Sequence, residues 1–313
     1  MVLTTITAKK QHSLAIHSML LKISLLLCFY SASISLAYSE SLNILTTIKP
    51  IHSLVSNLTK GISQPDLLIS GNQSPHDFQM KPSDRRKIVN ANIIIYVSGG
   101  IESYIPEISN TFSKQQTVIA LDTIAGIQKL PTRSVDEHSD HHADHDGHLW
   151  LSIENAKAIS HYLYSEFSKH DPEHQVIYLQ NRNQLLARLQ QLKTGITDKL
   201  KQLKQKPYLT FHDAFQYYET EFNLTGSHFV TSNPEYISGI QSIQHLKKLM
   251  QTEKINCIYY EPPRIPKIIH TLKENTAARS LPLDPVGTEL HPGENLYFEL
   301  LDTITNQLLD CLK

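Results

Sequence analysis

The chain has 313 residues, 29 basic and 30 acidic, for a net charge of −1, with 40 % apolar residues. That length accommodates two domains of ordinary size, the apolar content excludes wholesale disorder, and the charge balance offers no basic face for nucleic acid. The unusual count is 17 histidines, so their placement is worth following along the chain.

Residues 1–37 read as a secretory signal peptide. Within them, "MLLKISLLLCFYSASISLA" (19–37) sets a lysine before an apolar stretch and closes on small residues, Ser35-Leu36-Ala37. The apolar run falls short of the roughly 20 residues a membrane span needs, so the chain is expected not to span a membrane. Met19 is an alternative start. Cleavage after Ala37 removes three lysines and no acid, which moves the net charge from −1 to −4. Cys28 is followed by more of the apolar run and belongs to the discarded peptide rather than to a lipid anchor. Export permits disulfides. The mature chain keeps Cys257 and Cys311, which either pair or remain two buried thiols; compartment and count favour the bond.

The next elements predict an α/β fold. "LNILTT" (42–47), "DLLIS" (66–70), "NIIIYV" (92–97) and "TVIAL" (117–121) have the β-branched, apolar character of buried strands. Helical patterns lie between them at 50–60 and 82–91, the second started by Pro82 and Ser83. This alternation predicts a mainly parallel sheet flanked by helices, an N-terminal lobe over 38–171. From Pro172 to Pro207, Val176, Leu179, Leu186, Leu189, Leu192, Ile196, Leu200 and Leu203 recur at helical spacing. They predict one long, stiff linking helix over 172–206, roughly 45 Å at 1.5 Å per residue. Alternation resumes in a C-terminal lobe, 207–313. Strands are expected at "YLTF" (208–211), "CIYY" (257–260) and "LPLD" (281–284), with helices at 214–222, 237–253, 264–275 and 294–313. In such sheets a site lies off the carboxyl ends of the strands, here between the lobes.

Three histidines from distant parts of the chain sit at element boundaries. His76 lies in the loop after "DLLIS", His148 in "GHLWLS", and His212 directly after "YLTF". Neutral imidazole suits a borderline cation such as Zn²⁺. Each alone reads equally well as a surface histidine, and no local HExxH or CxxC spacing ties them together.

The stretches "TIKPIHSLV", "SPHDFQMKPSD", "GHLWLS", "FHDAFQYYE", "EPP" and "LDPVG", in that order, resemble the successive motifs of the zinc-uptake solute-binding proteins of ABC transporters, the ZnuA group. The resemblance runs from residue 42 to the end. It implies two α/β lobes, a rigid linking helix and an interlobe zinc site. The zinc is then cargo, captured in the periplasm and passed to the permease of an ABC transporter by a protein that is not an enzyme; we expect a monomer. His76, His148 and His212 become the three nitrogen ligands, and the Cys257–Cys311 pair matches a disulfide of part of the group. Where some members carry a metal-reaching glutamate before the first histidine, this chain has Pro75. The fourth position then falls to Asp284 or to water. Related manganese binders carry glutamate in place of the third histidine, so His212 decides for zinc, because hard Mn²⁺ favours oxygen. Asp77, Asp213 and Glu261 are candidates to orient the imidazoles, at least two of them expected to be ordinary surface carboxylates. His52 is not expected to be a ligand.

The run "DEHSDHHADHDGHLWLS" (136–152) therefore divides. His148 belongs to the shaped site. His138, His141, His142 and His145 belong to a His- and acid-rich loop, 133–147, that would hold a second, weaker zinc by composition rather than shape. Other readings are a manganese or iron importer component of the same fold, a secreted zinc hydrolase, and a metal-dependent adhesin. Three histidines with an open position would suit a hydrolase, but no placed general base or nucleophile elbow accompanies them.

Overall fold

The computed structural model describes residues 42–313 apart from 72, 134–144, 204, 233 and 235–239. The signal-peptide reading of 1–37, Cys28, and His138, His141 and His142 lie outside the described residues. Strands β1 (Ile44–Thr46), β2 (Asp66–Leu67), β3 (Ile93–Tyr96) and β4 (Thr117–Ala120) form a parallel sheet in the order β2-β1-β3-β4. Ile44 pairs with Ile93 and Ile95 with Ile119. The run Ile93-Ile94-Ile95 is wholly buried, as expected of a parallel strand covered on both faces. A second parallel sheet repeats the order as β6-β5-β7-β8, from β5 (Tyr208–His212), β6 (Ser227–Thr231), β7 (Cys257–Tyr260) and β8 (Arg279–Pro282). In each sheet the chain steps first to one side of its opening strand and then to the other. The crevice at that reversal is where side chains from two strand ends can meet.

Helices α1 (Lys49–Leu58), α2 (Pro82–Asn90), α3 (Tyr104–Glu107) and α4 (Ile153–His170) accompany the first sheet. The long α5 (Gln175–Leu200) stands between the two lobes, and α6 (Gln216–Phe222), α7 (Ile240–Thr252), α8 (Lys267–Lys273) and α9 (Leu296–Leu312) accompany the second. The α/β class, the two parallel sheets and the long helix between them agree with the sequence reading.

The long helix differs in detail. It has 26 residues, about 39 Å, and a 3₁₀ turn at Pro172–His174 precedes it. Val176 is 66 % exposed and Leu179 36 %; the buried seam begins at Tyr178 and continues through Leu185, Leu189, Ile196 and Leu200. Tyr178 takes the inward position because its hydroxyl finds Asp171 at 3.0 Å, which leaves the neighbouring aliphatics facing out. Leu203 is buried beyond the helix end.

The short α3, β6 and α4 go beyond the sequence reading. Helix α4 is capped by Ser152, whose Oγ accepts from Asn155 N, and is buried along Ile153, Ala156, Ile159, Leu163 and Phe167.

The C-terminal segment straps onto α1. Helix α9 packs on α1 and α5, Tyr297 N donates to Ser53 Oγ at 3.0 Å, and Asn57 Nδ2 donates to Glu294 O at 2.7 Å. Cys257 of β7 and Cys311 of α9 are disulfide-bonded across 54 residues, Cα atoms 5.9 Å apart. A loop that long is worth about 4 kcal/mol by chain entropy. One apolar cluster runs through both lobes, and a second lies around Leu209, Ile258 and Ile269. Among the described residues no helix is long and apolar enough to cross a membrane.

Candidate metal centre

His212 is the last residue of β5, so its side chain projects from the carboxyl end of the second sheet at the reversal point. Its Nδ1 lies 2.8 Å from Glu261 Oε1, the residue after β7. The pair therefore spans the crevice between β5 and β7. His76 sits in a 3₁₀ turn, Pro75–Asp77, whose start is capped by Ser74 Oγ accepting from His76 N at 3.2 Å.

His148 precedes another 3₁₀ turn, Leu149–Leu151. Its backbone N–H and Nδ1 both bond to Asp146 Oδ1, at 2.9 and 2.7 Å. Gly147 between them is packed so closely that a Cβ would overlap Ile101 and lie 2.9 Å from Ser98 Oγ. Only glycine fits there without displacing neighbours.

These elements bring the three imidazoles together. One ring nitrogen from each of His76, His148 and His212 lies within 4.8 Å of the others. Tetrahedral zinc at its usual bond length holds nitrogens about 3.4 Å apart, so a small inward shift completes the geometry. Nε2 of His76 and of His212 are buried with no hydrogen-bond partner. Buried polar atoms are normally satisfied, so these two nitrogens have the donor character of ligands awaiting a cation.

The electrostatics differ between the rings. Burial, helped by the other two imidazoles, holds His76 well below the ordinary histidine value. Burial acts the same way on His148, but the charge and hydrogen bond of Asp146 outweigh it and raise its pKa.

Asp284 lines the same cavity but stands outside the ligand group, which contains only the three histidines among the described residues. Its oxygens accept from the backbone of Val286, Gly287 and Thr288 and from Thr288 Oγ1. The side chain is spent closing its own turn. Buried Lys49 of α1 holds the same loop by donating to the carbonyls of Gly287, Thr288 and Leu290 at 2.6–3.2 Å.

Of the three candidate orienting carboxylates, Glu261 holds His212. Asp213 is buried against Arg133, whose Nε and Nη2 both reach its carboxylate. Asp77 alone is exposed, so the expectation of two surface carboxylates is corrected to one. Asp146 was not singled out, although its i, i+2 spacing to His148 was visible. His52 is engaged elsewhere, Nε2 lying 3.0 Å from Pro65 O.

His145, grouped with the loose loop, lies 3.3 Å from Asp122 through Nε2. The stems of that loop are tied. Asp146 N donates to Leu130 O at 2.8 Å, while Tyr217 OH donates to Asp146 O and accepts from Leu130 N. Arg133 adds a bond to Glu219 at 3.0 Å.

The family model described as "ZnuA: Zinc-uptake complex component A periplasmic" matches residues 44–311. The chain belongs to the ZnuA family. The high-affinity zinc uptake system protein ZnuA of Brucella abortus (strain 2308) is 30 % identical over 332 residues, covering 95 % of this chain and 98 % of that protein. The protein of the same name from Haemophilus ducreyi is 27 % identical over 291 residues, covering 86 % and 93 %. A crystal structure of ZnuA superposes with a TM-score of 0.77 at 19 % identity, covering 88 % of this chain and all of that one. Zn(II)-bound AdcA from Streptococcus pneumoniae gives 0.71 at 22 % identity, covering 87 % of this chain and 58 % of that one. Both share the fold. The ZnuA family is one of solute-binding proteins, in keeping with the expectation drawn from the motifs.

Proposed function

We propose that this protein captures zinc from the periplasm through His76, His148 and His212 and delivers it to the permease of an ABC importer. The observation that carries the reading is the convergence of three imidazoles, 64 or more residues apart in sequence, with their ligand atoms within 4.8 Å. Zinc is the cargo. Three neutral nitrogens suit it better than the harder manganese, and Glu261 and Asp146 behind two of the rings fix their tautomers and increase ligand basicity. Family membership and the names of the relatives support zinc import over a hydrolase or a manganese carrier. The role is that of a binding protein, not an enzyme, acting as an exported monomer. With Asp284 spent on its own turn, an exogenous donor takes the fourth position.

Metal analysis of the purified protein, loaded from an equimolar mixture of zinc and manganese, tests this reading. One tightly held zinc per chain and negligible manganese is expected. Equal loading, or tight zinc binding undiminished in a triple alanine variant of the three histidines, would refute it.

A further inference from the structure

The cavity that the triad faces measures about 820 Å³. A zinc ion already held by three nitrogens needs one more donor, and a water occupies about 30 Å³. The space is more than twenty times that. It falls instead in the range of roughly 300–1,000 Å³ that accommodates small organic ligands.

The walls have the character such a ligand needs. Six prolines, Trp150, Phe211 and Ile268 supply apolar surface. Arg264 and Lys267 line the same cavity. Both are exposed, and no ion pair to a carboxylate is found for either among the described residues. Arginine's planar fork matches a carboxylate through two parallel bonds, and lysine adds a point charge.

Charge points the same way. Asp146 and Glu261, hydrogen-bonded to two of the rings, offset the two charges of a bound Zn²⁺. Asp284 is balanced by nearby Lys49, and Asp213 and Glu219 share Arg133. On the cavity wall Arg264 and Lys267 remain, with no carboxylate partner among the described residues. An anion that reaches both the metal and this pair is held at two ends; a water is held at one.

We propose that the site takes zinc together with a small hydroxy- or amino-dicarboxylate. One end of the chelator fills the coordination position that Asp284 leaves open, and its outer carboxylate rests on Arg264 and Lys267. The inference rests on the zinc-capture reading and specifies the form in which the cargo is held. No bond is made or broken beyond coordination.

Equilibrium dialysis of the purified protein with zinc and radiolabelled malate or aspartate tests it. The expected result is one zinc and one chelator retained per chain, with chelator retention dependent on zinc. In the Arg264→Glu, Lys267→Glu double variant, chelator retained per bound zinc should fall at least tenfold. Zinc retained with neither malate nor aspartate overturns the proposal and leaves zinc capture intact. Chelator retained equally by the double variant also overturns it, because the anion would then be held by the metal alone. Failure to retain zinc at all defeats the zinc-capture reading and this proposal with it.

Discussion

Asp146 bonds His148 twice through one oxygen, at 2.9 Å to the backbone N–H and 2.7 Å to Nδ1. The carboxylate holds the Nδ1–H tautomer and so leaves the lone pair on Nε2 for a metal. Partners of this kind typically contribute ten- to a hundredfold in metal affinity. Asp146→Asn should weaken zinc binding by about that factor in a competition titration against a chromophoric chelator. Parental affinity would show that the ring needs no such guide.

Zinc must replace the proton on His148, whose pKa Asp146 holds above the ordinary value of 6.5. A raised pKa means that the proton competes at higher pH. Zinc affinity should therefore begin to decline above pH 6.5 as the medium is acidified. His76, held well below that value by burial, contributes to the decline only at lower pH. In Asp146→Asn the onset should move down, because the largest of the influences that oppose burial at His148 is then lost, leaving only the charges of Glu261 and Asp213. An onset unaffected by that substitution in titrations across pH 5–8 would contradict the assignment.

His212 supplies the nitrogen that stands at the β5–β7 crevice. His212→Glu replaces it with oxygen donors and sets a second carboxylate against Glu261. Selectivity for zinc over manganese should fall at least tenfold in competition titrations. Unchanged selectivity would place the discrimination elsewhere.

Asp284 organises its loop through four hydrogen bonds. Asp284→Ala should lower stability by about 2–3 kcal/mol, seen as a drop of roughly 5–10 °C in Tm. Zinc affinity should change far less than the roughly ten- to hundredfold lost with a ring-orienting carboxylate, because Asp284 spends its hydrogen bonds on its own turn. A loss of tenfold or more in affinity, with stoichiometry retained, would make Asp284 a ligand after all.

Glu102 is wholly buried, and burial pushes its carboxyl up to about 7 against 4.5 when free. The folded protein therefore binds this proton more tightly than the unfolded chain. Its contribution to stability is complete below pH 4.5 and is lost as pH rises through 7. Glu102→Gln should raise stability at pH 8, by on the order of 1–3 kcal/mol and with a matching rise in Tm, and should give no gain at pH 4.5. A Tm difference independent of pH would mean that the side chain stays ionised in the fold.

The strands were legible as short β-branched apolar runs, the long helix by its period, and the triad through the resemblance carried by the motifs around each histidine. What was missed has physical causes. Helix α4 builds its buried stripe partly from Ala156, Asn155 and Ser160, residues whose burial depends on close neighbours rather than on hydrophobicity. Val176 and Leu179 matched the helical period, yet Tyr178 won the inward face by way of Asp171. Arg133 carries no local motif, since both of its acidic partners lie 80 or more residues away. The engagement of Asp284 depends on the path of the following turn, which the quoted "LDPVG" does not reveal.

Leu130, Arg133, Asp146 and Tyr217 form a collar at the two ends of the segment 134–144. Both flanks of that interval are held by contacts of their own, Asp146 N to Leu130 O on one side and Arg133 to Asp213 and Glu219 on the other. The position is thus a natural graft point. Exchanging residues there, in number or in kind, should leave these flanking bonds and the grip on the cargo as they were.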